Sequence, residues 1–239
     1  MKLTICAASA LLASSLAFST FLAPADPKGY TTLTIEGFNV HVEDALAQPK
    51  AGVAKKDDEL GREAIALLGA KLLDVRRAVP EAALARLREV PIWLDRDDPK
   101  FPCAVYHPSE TWLRENGCDP RKAKSVHVSN ATNFLSWSRE QPAMVLHELA
   151  HAYHDRMSAA DRALVDEAHA RGILGKTYDA VLRASGAEDR HYALENPAEF
   201  FAEATEAYFG TNDFYPFVRA ELARHDPATE RLVHELWKR

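Results

Sequence analysis

The sequence predicts an α+β fold in which helices dominate and the strands are few and short. Apolar residues recur at three- to five-residue spacing from Glu59 onward and in four later segments, as in helices that bury one face. Short runs with β-type alternation lie near residues 31–42, 91–94 and 125–129. A hydrophobic fraction of 47% and a charged fraction of 27% are typical of a globular domain.

The N-terminus has the pattern of a secretory signal peptide. Lys2 gives a positive start, and residues 3–22 are apolar or small without further charge. Small residues at Ala17 and Ser19 predict cleavage before Thr20, so residues 1–19 form the signal and the mature chain is secreted or periplasmic. A retained N-terminal anchor is the alternative interpretation.

The remaining composition limits the partners. The formal net charge is −6, and removal of Lys2 with the signal makes it one unit more negative. Basic residues are scattered, which argues against nucleic acid as a partner. No later apolar run approaches the roughly 20 residues of a membrane span, so none is expected after signal cleavage.

Two cysteines, Cys103 and Cys118, remain in the mature chain. An even number of cysteines in an exported protein predicts a disulfide. Closing a loop of this size would stabilise the fold by roughly 3 kcal/mol. Two free thiols are the alternative.

The first part of the mature chain, residues 20–57, is predicted to be a β-hairpin followed by a connection. Residues 31–35 and 39–42 form its strands, around a turn at Glu36-Gly37, and residues 48–58 contain Pro, Gly and lysines. Residues 58–239 form the main domain. Its first helix begins at Glu59 and has an apolar stripe composed of Leu60, Ala64, Leu68, Leu72, Val75 and Val79.

Further along, Pro80 is predicted to begin a short helix, and residues 91–94 are predicted to form a strand. Residues 95–124 are predicted to be loop and residues 125–129 a half-buried strand. Four helices are then expected near residues 141–156, 159–171, 197–209 and 226–238. Asn-Pro and Asp-Pro pairs precede the last two, where a capping side chain stands before a proline in the first helical turn.

The helix near 141–156 contains His147-Glu148-Leu149-Ala150-His151, an HExxH motif. Residues four apart lie on one helix face, so His147 and His151 can bind one zinc ion at about 2.0–2.1 Å. Glu148 can then act on a water held by that ion, because zinc lowers the pKa of bound water toward 7 and a carboxylate can accept its proton.

A zinc site of this kind needs a third protein ligand. His154 is on the same face, but it lies seven residues from His147, about 10.5 Å along the helix axis, which strains a single coordination sphere and makes it the weaker alternative. Three carboxylates, Glu199, Glu203 and Glu206, recur on one face of the helix at 197–209. We interpret Glu206 as part of a solvated face, and spacing alone does not choose between Glu199 and Glu203.

The HELAH sequence followed by Asn196-Pro197-Ala198-Glu199-Phe200-Phe201-Ala202-Glu203 resembles the gluzincin metallopeptidases of the anthrax lethal factor type and the Mlc titration factor A group. The resemblance spans about residues 141–209 and does not extend to the N-terminal third. It implies a helix-dominated zincin-like domain that binds Zn²⁺, with Glu199 as third ligand. It also implies that Tyr192, seven residues before that glutamate, approaches the metal and assists the reaction.

Together these features predict a secreted zinc metallopeptidase, a monomer that hydrolyses a peptide or protein substrate. His147, His151 and Glu199 would hold zinc, Glu148 would be the general base, and Tyr192 would stabilise the oxyanion. Glu203 and Asp155 are candidates to orient a ligating imidazole, and the strand at 125–129 is the candidate edge for aligning substrate. The alternatives are a catalytically inactive zinc-binding recognition domain and a zinc amidase acting on cell-wall material.

Overall fold

The predicted α+β class is confirmed by the computed structural model, which describes residues 26–47 and 55–239. The strands are β1 (Tyr30–Ile35), β2 (Phe38–Glu43), β3 (Ile92–Leu94), β4 (Ala104–Tyr106), β5 (Val126–Val128), β6 (Val181–Leu182) and β7 (Glu188–Asp189). The helices are α1 (Asp44–Ala47), α2 (Lys55–Ala78), α3 (Glu81–Leu87), α4 (Glu110–Glu115), α5 (Ala131–Trp137), α6 (Met144–Asp155), α7 (Ala159–Leu174), α8 (Pro197–Phe209), α9 (Arg219–His225) and α10 (Pro227–Leu236). The predicted signal peptide lies outside the described residues.

Five strands form one mixed sheet in the order β1-β2-β3-β5-β4. β1 and β2 are joined by a two-residue turn in which Glu36 (φ 52°) and Gly37 (φ 88°) both have positive φ, the geometry that suits the twist of a hairpin. β2, β3 and β5 run parallel, and β4 is antiparallel to β5 at the edge. The predicted hairpin is therefore part of the same sheet as the strands of the main domain.

A single large hydrophobic cluster joins the sheet to the helices. Leu68 and Leu72 of α2 are fully buried in the same cluster as Val40 of β2 and Ile92 of β3. Leu149 of α6, also fully buried, belongs to this cluster. One side of α6 is thus anchored in the core, and its opposite side is available to form a site.

The long segment at 95–124, which we predicted to be loop, contains regular structure. It includes β4, α4 and a 3₁₀ turn at Pro120–Lys122. Helices α5 and α9 were also not predicted. These elements have three to seven residues, too few for a periodic pattern to emerge, so tertiary packing rather than local preference defines them.

The strand at 125–129 was predicted to be an exposed edge, and this is wrong. β5 is entirely buried and lies between β3 and β4. Its side chains lie within the molecule, and both of its edges are already paired with neighbouring strands. The edge strands of this sheet are β1 and β4.

The predicted Cys103–Cys118 disulfide is not formed, and both cysteines are free. The Cys103 sulfur lies in the core 3.3 Å from the Met144 sulfur, whereas the Cys118 sulfur contacts the Asn116 carbonyl oxygen at 3.7 Å. Burial raises the pKa of the Cys103 thiol to about 11, so this thiol is protonated and unreactive at neutral pH. Within the described ranges, no helix has the length and apolar character needed to cross a membrane.

Candidate metal centre

Helix α6 carries the HExxH motif and packs against α8 and β4. Its buried side is formed by Val145, Leu149 and Ala152, which are at most 1% exposed. Because these residues face the core, His147 and His151 project from the other side, one helical turn apart, and their side chains are only 12% and 14% exposed. The predicted helical placement of the motif is confirmed.

Helix α8 brings the third group. Asn196 caps its first turn by accepting a hydrogen bond from the Glu199 backbone N–H at 3.0 Å, and Pro197 occupies the first helical position. Phe200 and Phe201 follow Glu199 and are 2% exposed. Their burial fixes the rotation of α8, so that the Glu199 carboxylate faces α6.

Three side-chain atoms converge between the two helices. Glu199 Oε2 lies 3.0 Å from His147 Nε2 and 3.3 Å from His151 Nε2, and the two Nε2 atoms are 3.0 Å apart. Ligands each about 2.0–2.1 Å from one tetrahedral ion would be separated by about 3.3 Å. The three donors therefore fit one zinc ion. Glu203, the other candidate from spacing, is not in this set and lies instead with His147 and Glu206 in a second, more buried group.

The charges at this point also suit a cation. Burial opposes ionisation of His147, but hydrogen bonds to Glu199 and Glu206 outweigh it and raise the pKa of His147 well above its ordinary value. Burial likewise opposes ionisation of Glu199, and hydrogen bonds from His147 and His151 lower its pKa to about 2. The surroundings thus favour positive charge between these side chains.

Glu206 was predicted to lie on a solvated face, and this is wrong. Its side chain is 5% exposed, and Oε1 accepts a 2.6 Å hydrogen bond from His147 Nδ1. With Nδ1 bonded to Glu206, the Nε2 atom of His147 faces Glu199 and His151. Glu206 therefore stands where an outer carboxylate orients a metal-binding imidazole. A sequence signal existed, because α8 is apolar around most of its circumference and three carboxylates on such a helix cannot all reach solvent.

The two predicted orienting residues have other contacts. Glu203 is buried and accepts a hydrogen bond from the Asn212 amide at 2.9 Å, and its nearer oxygen is 3.8 Å from His147 Nδ1. Burial, reinforced by the charge of Glu206, raises the pKa of Glu203 well above its ordinary value. Asp155 accepts a hydrogen bond from the Tyr106 hydroxyl at 2.7 Å and pairs with Lys124, so its described contacts are not with a ligating imidazole.

Glu148 is buried beside the edge strand. Its Oε2 accepts a 2.7 Å hydrogen bond from the Tyr106 backbone N–H. Glu148 and Tyr192 both line a cleft of about 630 Å³ that also contains His147, His151 and Glu199. Tyr192 begins a 3₁₀ turn and is 48% exposed on the cleft wall. All five predicted residues of the site therefore border the same cavity.

A separate group of potential ligands, Asp95, Asp98 and His127, lies at the sheet, with His127 in β5 and Asp95 directly after β3. The buried Lys122 ammonium occupies it, in contact with Asp95 and 2.8 Å from His127 Nε2. A lysine side chain already supplies the positive charge that these carboxylates require. This cluster is therefore an internal ion-pair network in which Lys122 neutralises Asp95.

Comparison of the chain with protein-family models, with curated proteins and with solved structures gave no significant match. The functional interpretation rests on the residues of the cleft themselves.

Proposed function

We propose that this chain is a secreted zinc metallopeptidase of the gluzincin type that hydrolyses peptide bonds in the cleft between α6 and α8. The observation that supports it most is the convergence of His147 Nε2, His151 Nε2 and Glu199 Oε2 within 3.3 Å of one another. Two imidazoles and one carboxylate form a donor set typical of catalytic zinc, which leaves a position open for water. Zinc bound there supplies a Lewis acid and lowers the pKa of water toward 7.

Glu148 is the residue that moves protons in this proposal. The Tyr106 N–H donates to one of its carboxylate oxygens, which holds the side chain in place and leaves the other oxygen to accept a proton from water. Glu148 then delivers that proton to the leaving amine. Tyr192, which lines the same cleft, donates a hydrogen bond from its hydroxyl to the oxygen of the scissile carbonyl as negative charge develops there.

Strand β4 is the element suited to align a peptide substrate. Cys103 O accepts from Ser129 N, and His107 N donates to Ser125 O, so residues 103 and 107 face β5. Because backbone groups alternate along a strand, Ala104 and Tyr106 direct theirs to the outer edge, beside the cleft. The Tyr106 N–H already donates to Glu148, so the groups that can face a substrate are the Ala104 N–H and C=O and the Tyr106 C=O. An extended peptide can add to that edge as a further strand.

The decisive experiment compares the wild type with Glu148→Gln, using Glu167→Gln on the exposed side of α7 as the matched control. We expect Glu148→Gln to retain one zinc per chain and to lower the cleavage rate of a peptide library by about 10²–10⁴-fold. The control should match the wild type in both measurements. Equal cleavage by Glu148→Gln and wild type would overturn the proposed role.

The same proteins separate the alternatives. If the wild type binds zinc and cleaves no peptide, the recognition-domain interpretation replaces ours. Release of amino groups from cell-wall material without peptide cleavage would identify an amidase. Glu199→Ala should weaken zinc binding much more than Glu203→Ala, and the reverse order would contradict the proposed ligand set.

A further inference from the structure

Tyr106 of β4 contacts α6 at two points that lie far apart on the helix. Its backbone N–H donates to Glu148 Oε2 at 2.7 Å, and its hydroxyl donates to Asp155 Oδ2, also at 2.7 Å. Glu148 and Asp155 are seven residues apart, about 10.5 Å along the helix axis. The hydrogen bonds between β4 and β5 fix the strand within the sheet, whereas Tyr106 fixes it relative to α6.

Asp155 lies at the C-terminal end of α6, where the helix dipole disfavours a negative charge. Burial also opposes its ionisation, but hydrogen bonds from Lys124 and Tyr106 outweigh burial and lower the pKa of Asp155. The group that accepts from the Tyr106 hydroxyl is therefore an anion, and an ionised acceptor makes the shorter and stronger hydrogen bond. The preferences of α6 alone do not account for a carboxylate at this position.

Lys124, the other partner of Asp155, has a backbone conformation that a residue with a side chain rarely adopts. Its φ of 56° lies in the left-handed region, which is unfavourable for any residue other than glycine. In this conformation its N–H donates to the His107 carbonyl oxygen at 2.6 Å, and its ammonium lies 2.7 Å from Asp155 Oδ2. Two locally unfavourable features thus meet in one contact, and such features cluster at functional sites.

The contacts of Tyr106 determine where the Glu148 carboxylate lies. A general base must lie within hydrogen-bond reach of the water whose proton it accepts. Glu148 is bonded to the backbone of β4, so a shift of β4 relative to α6 would move the carboxylate as well. A displacement of about 1 Å can slow a reaction by about 10²-fold.

We propose that the Tyr106 hydroxyl, Asp155 and Lys124 form a brace that holds β4 at a fixed distance from α6 and thereby positions Glu148. This inference rests on the proposed peptidase activity. The three are positioning residues, because they act through Glu148 and none of them needs to touch the reacting atoms. A peptide paired with β4 moves together with the strand, so a loosened brace should leave substrate binding intact and slow the chemical step.

The first test compares Tyr106→Phe with Tyr153→Phe in the zinc-loaded protein. Both tyrosines are 6% exposed, and the Tyr153 hydroxyl also makes a hydrogen bond at α6, to the Leu236 carbonyl oxygen at 2.8 Å. We expect Tyr106→Phe to lower kcat by about tenfold or more, with KM and the zinc Kd each within about threefold of the wild type. Tyr153→Phe should keep the kcat of the wild type.

The second test separates positioning from stability. Lys124→Gly removes the ammonium and at the same time relieves the left-handed backbone, so Tm should stay the same or rise. We expect kcat to fall by about two- to fivefold, the range of an exposed ion pair. Lys176→Gly is the matched control, because Lys176 is also an exposed lysine with a positive φ, of 51°, and does not line the cleft. It should keep the kcat of the wild type.

Full kcat in Tyr106→Phe, or an equal loss in Tyr153→Phe, would overturn the inference. A loss confined to KM, or a parallel loss of zinc affinity, would overturn it too, because the change would then act on substrate binding or on the metal ligands. Equal kcat values for Lys124→Gly and Lys176→Gly would also contradict it. All these results leave the proposed function standing, whereas a wild type that cleaves no peptide would overturn both.

Discussion

Replacing Glu206 by glutamine removes a negative charge from behind His147 and changes the side-chain volume little. The Glu206 carboxylate accepts a 2.6 Å hydrogen bond from His147 Nδ1 and is 5% exposed. Glutamine retains an oxygen that can accept this bond. The substitution therefore isolates the contribution of the charge to zinc binding.

The expected magnitude follows from the two kinds of hydrogen bond. A bond to a charged group contributes about 1.5–3 kcal/mol and a neutral one about 0.5–1.5 kcal/mol. The difference of about 1–1.5 kcal/mol corresponds to a roughly tenfold weaker zinc affinity, since 1.36 kcal/mol is a factor of ten. The new amide NH₂ takes the place of Glu206 Oε2, which has no hydrogen-bond partner among the described residues. Burying this NH₂ destabilises the fold equally with and without zinc, so it does not change the zinc affinity.

The assay is the zinc Kd of the folded protein, measured by competition with a chromophoric chelator. The matched control is Glu203→Gln, on the same helix and equally buried but 3.8 Å from His147 Nδ1. We expect about a tenfold rise in Kd for Glu206→Gln and less than about threefold for Glu203→Gln. A larger effect of Glu203→Gln, or an unchanged Kd in Glu206→Gln, would refute the assignment of Glu206 as the orienting carboxylate.

Three further predictions concern folding. Asn196→Ala removes the cap that holds the Glu199 N–H and should lower the free energy of unfolding by about 1 kcal/mol in urea titration; an unchanged value would contradict the capping role. Burial, reinforced by the charge of His225, lowers the pKa of His191 to about 3. Between about pH 6.5 and 3 the unfolded state therefore binds more protons than the folded state. The folded protein loses stability as the pH falls through this window. Between pH 7.5 and 5 we expect His191 to lower the free energy of unfolding by about 2 kcal/mol. The free energy of unfolding of His191→Asn should therefore depend less steeply on pH than that of the wild type, and equal slopes would refute this prediction. Because Cys103 and Cys118 are free, a reducing agent should leave Tm unchanged, and a drop of several degrees would indicate that the predicted disulfide does form.

Much of the candidate site was predictable because its determinants are local. The spacing of His147 and His151 places both imidazoles on one face of a helix whatever surrounds it, since 3.6 residues make one turn. Asn196-Pro197 likewise marks the start of α8 from its own capping chemistry. The two-residue hairpin turn at Glu36-Gly37 is also a local preference, and the structure has it.

The tertiary structure alone decided which groups meet across elements. The spacing in the sequence did not decide whether Glu199 or Glu203 is the ligand. In the structure, the packing of Phe200 and Phe201 sets the rotation of α8. This rotation directs Glu199 to the histidines and Glu206 to Nδ1 of His147. Sheet order is equally non-local, so β4 rather than β5 forms the edge beside the cleft. Periodicity along one chain segment encodes which face is apolar, but the partner of that face depends on how distant segments fill the core together.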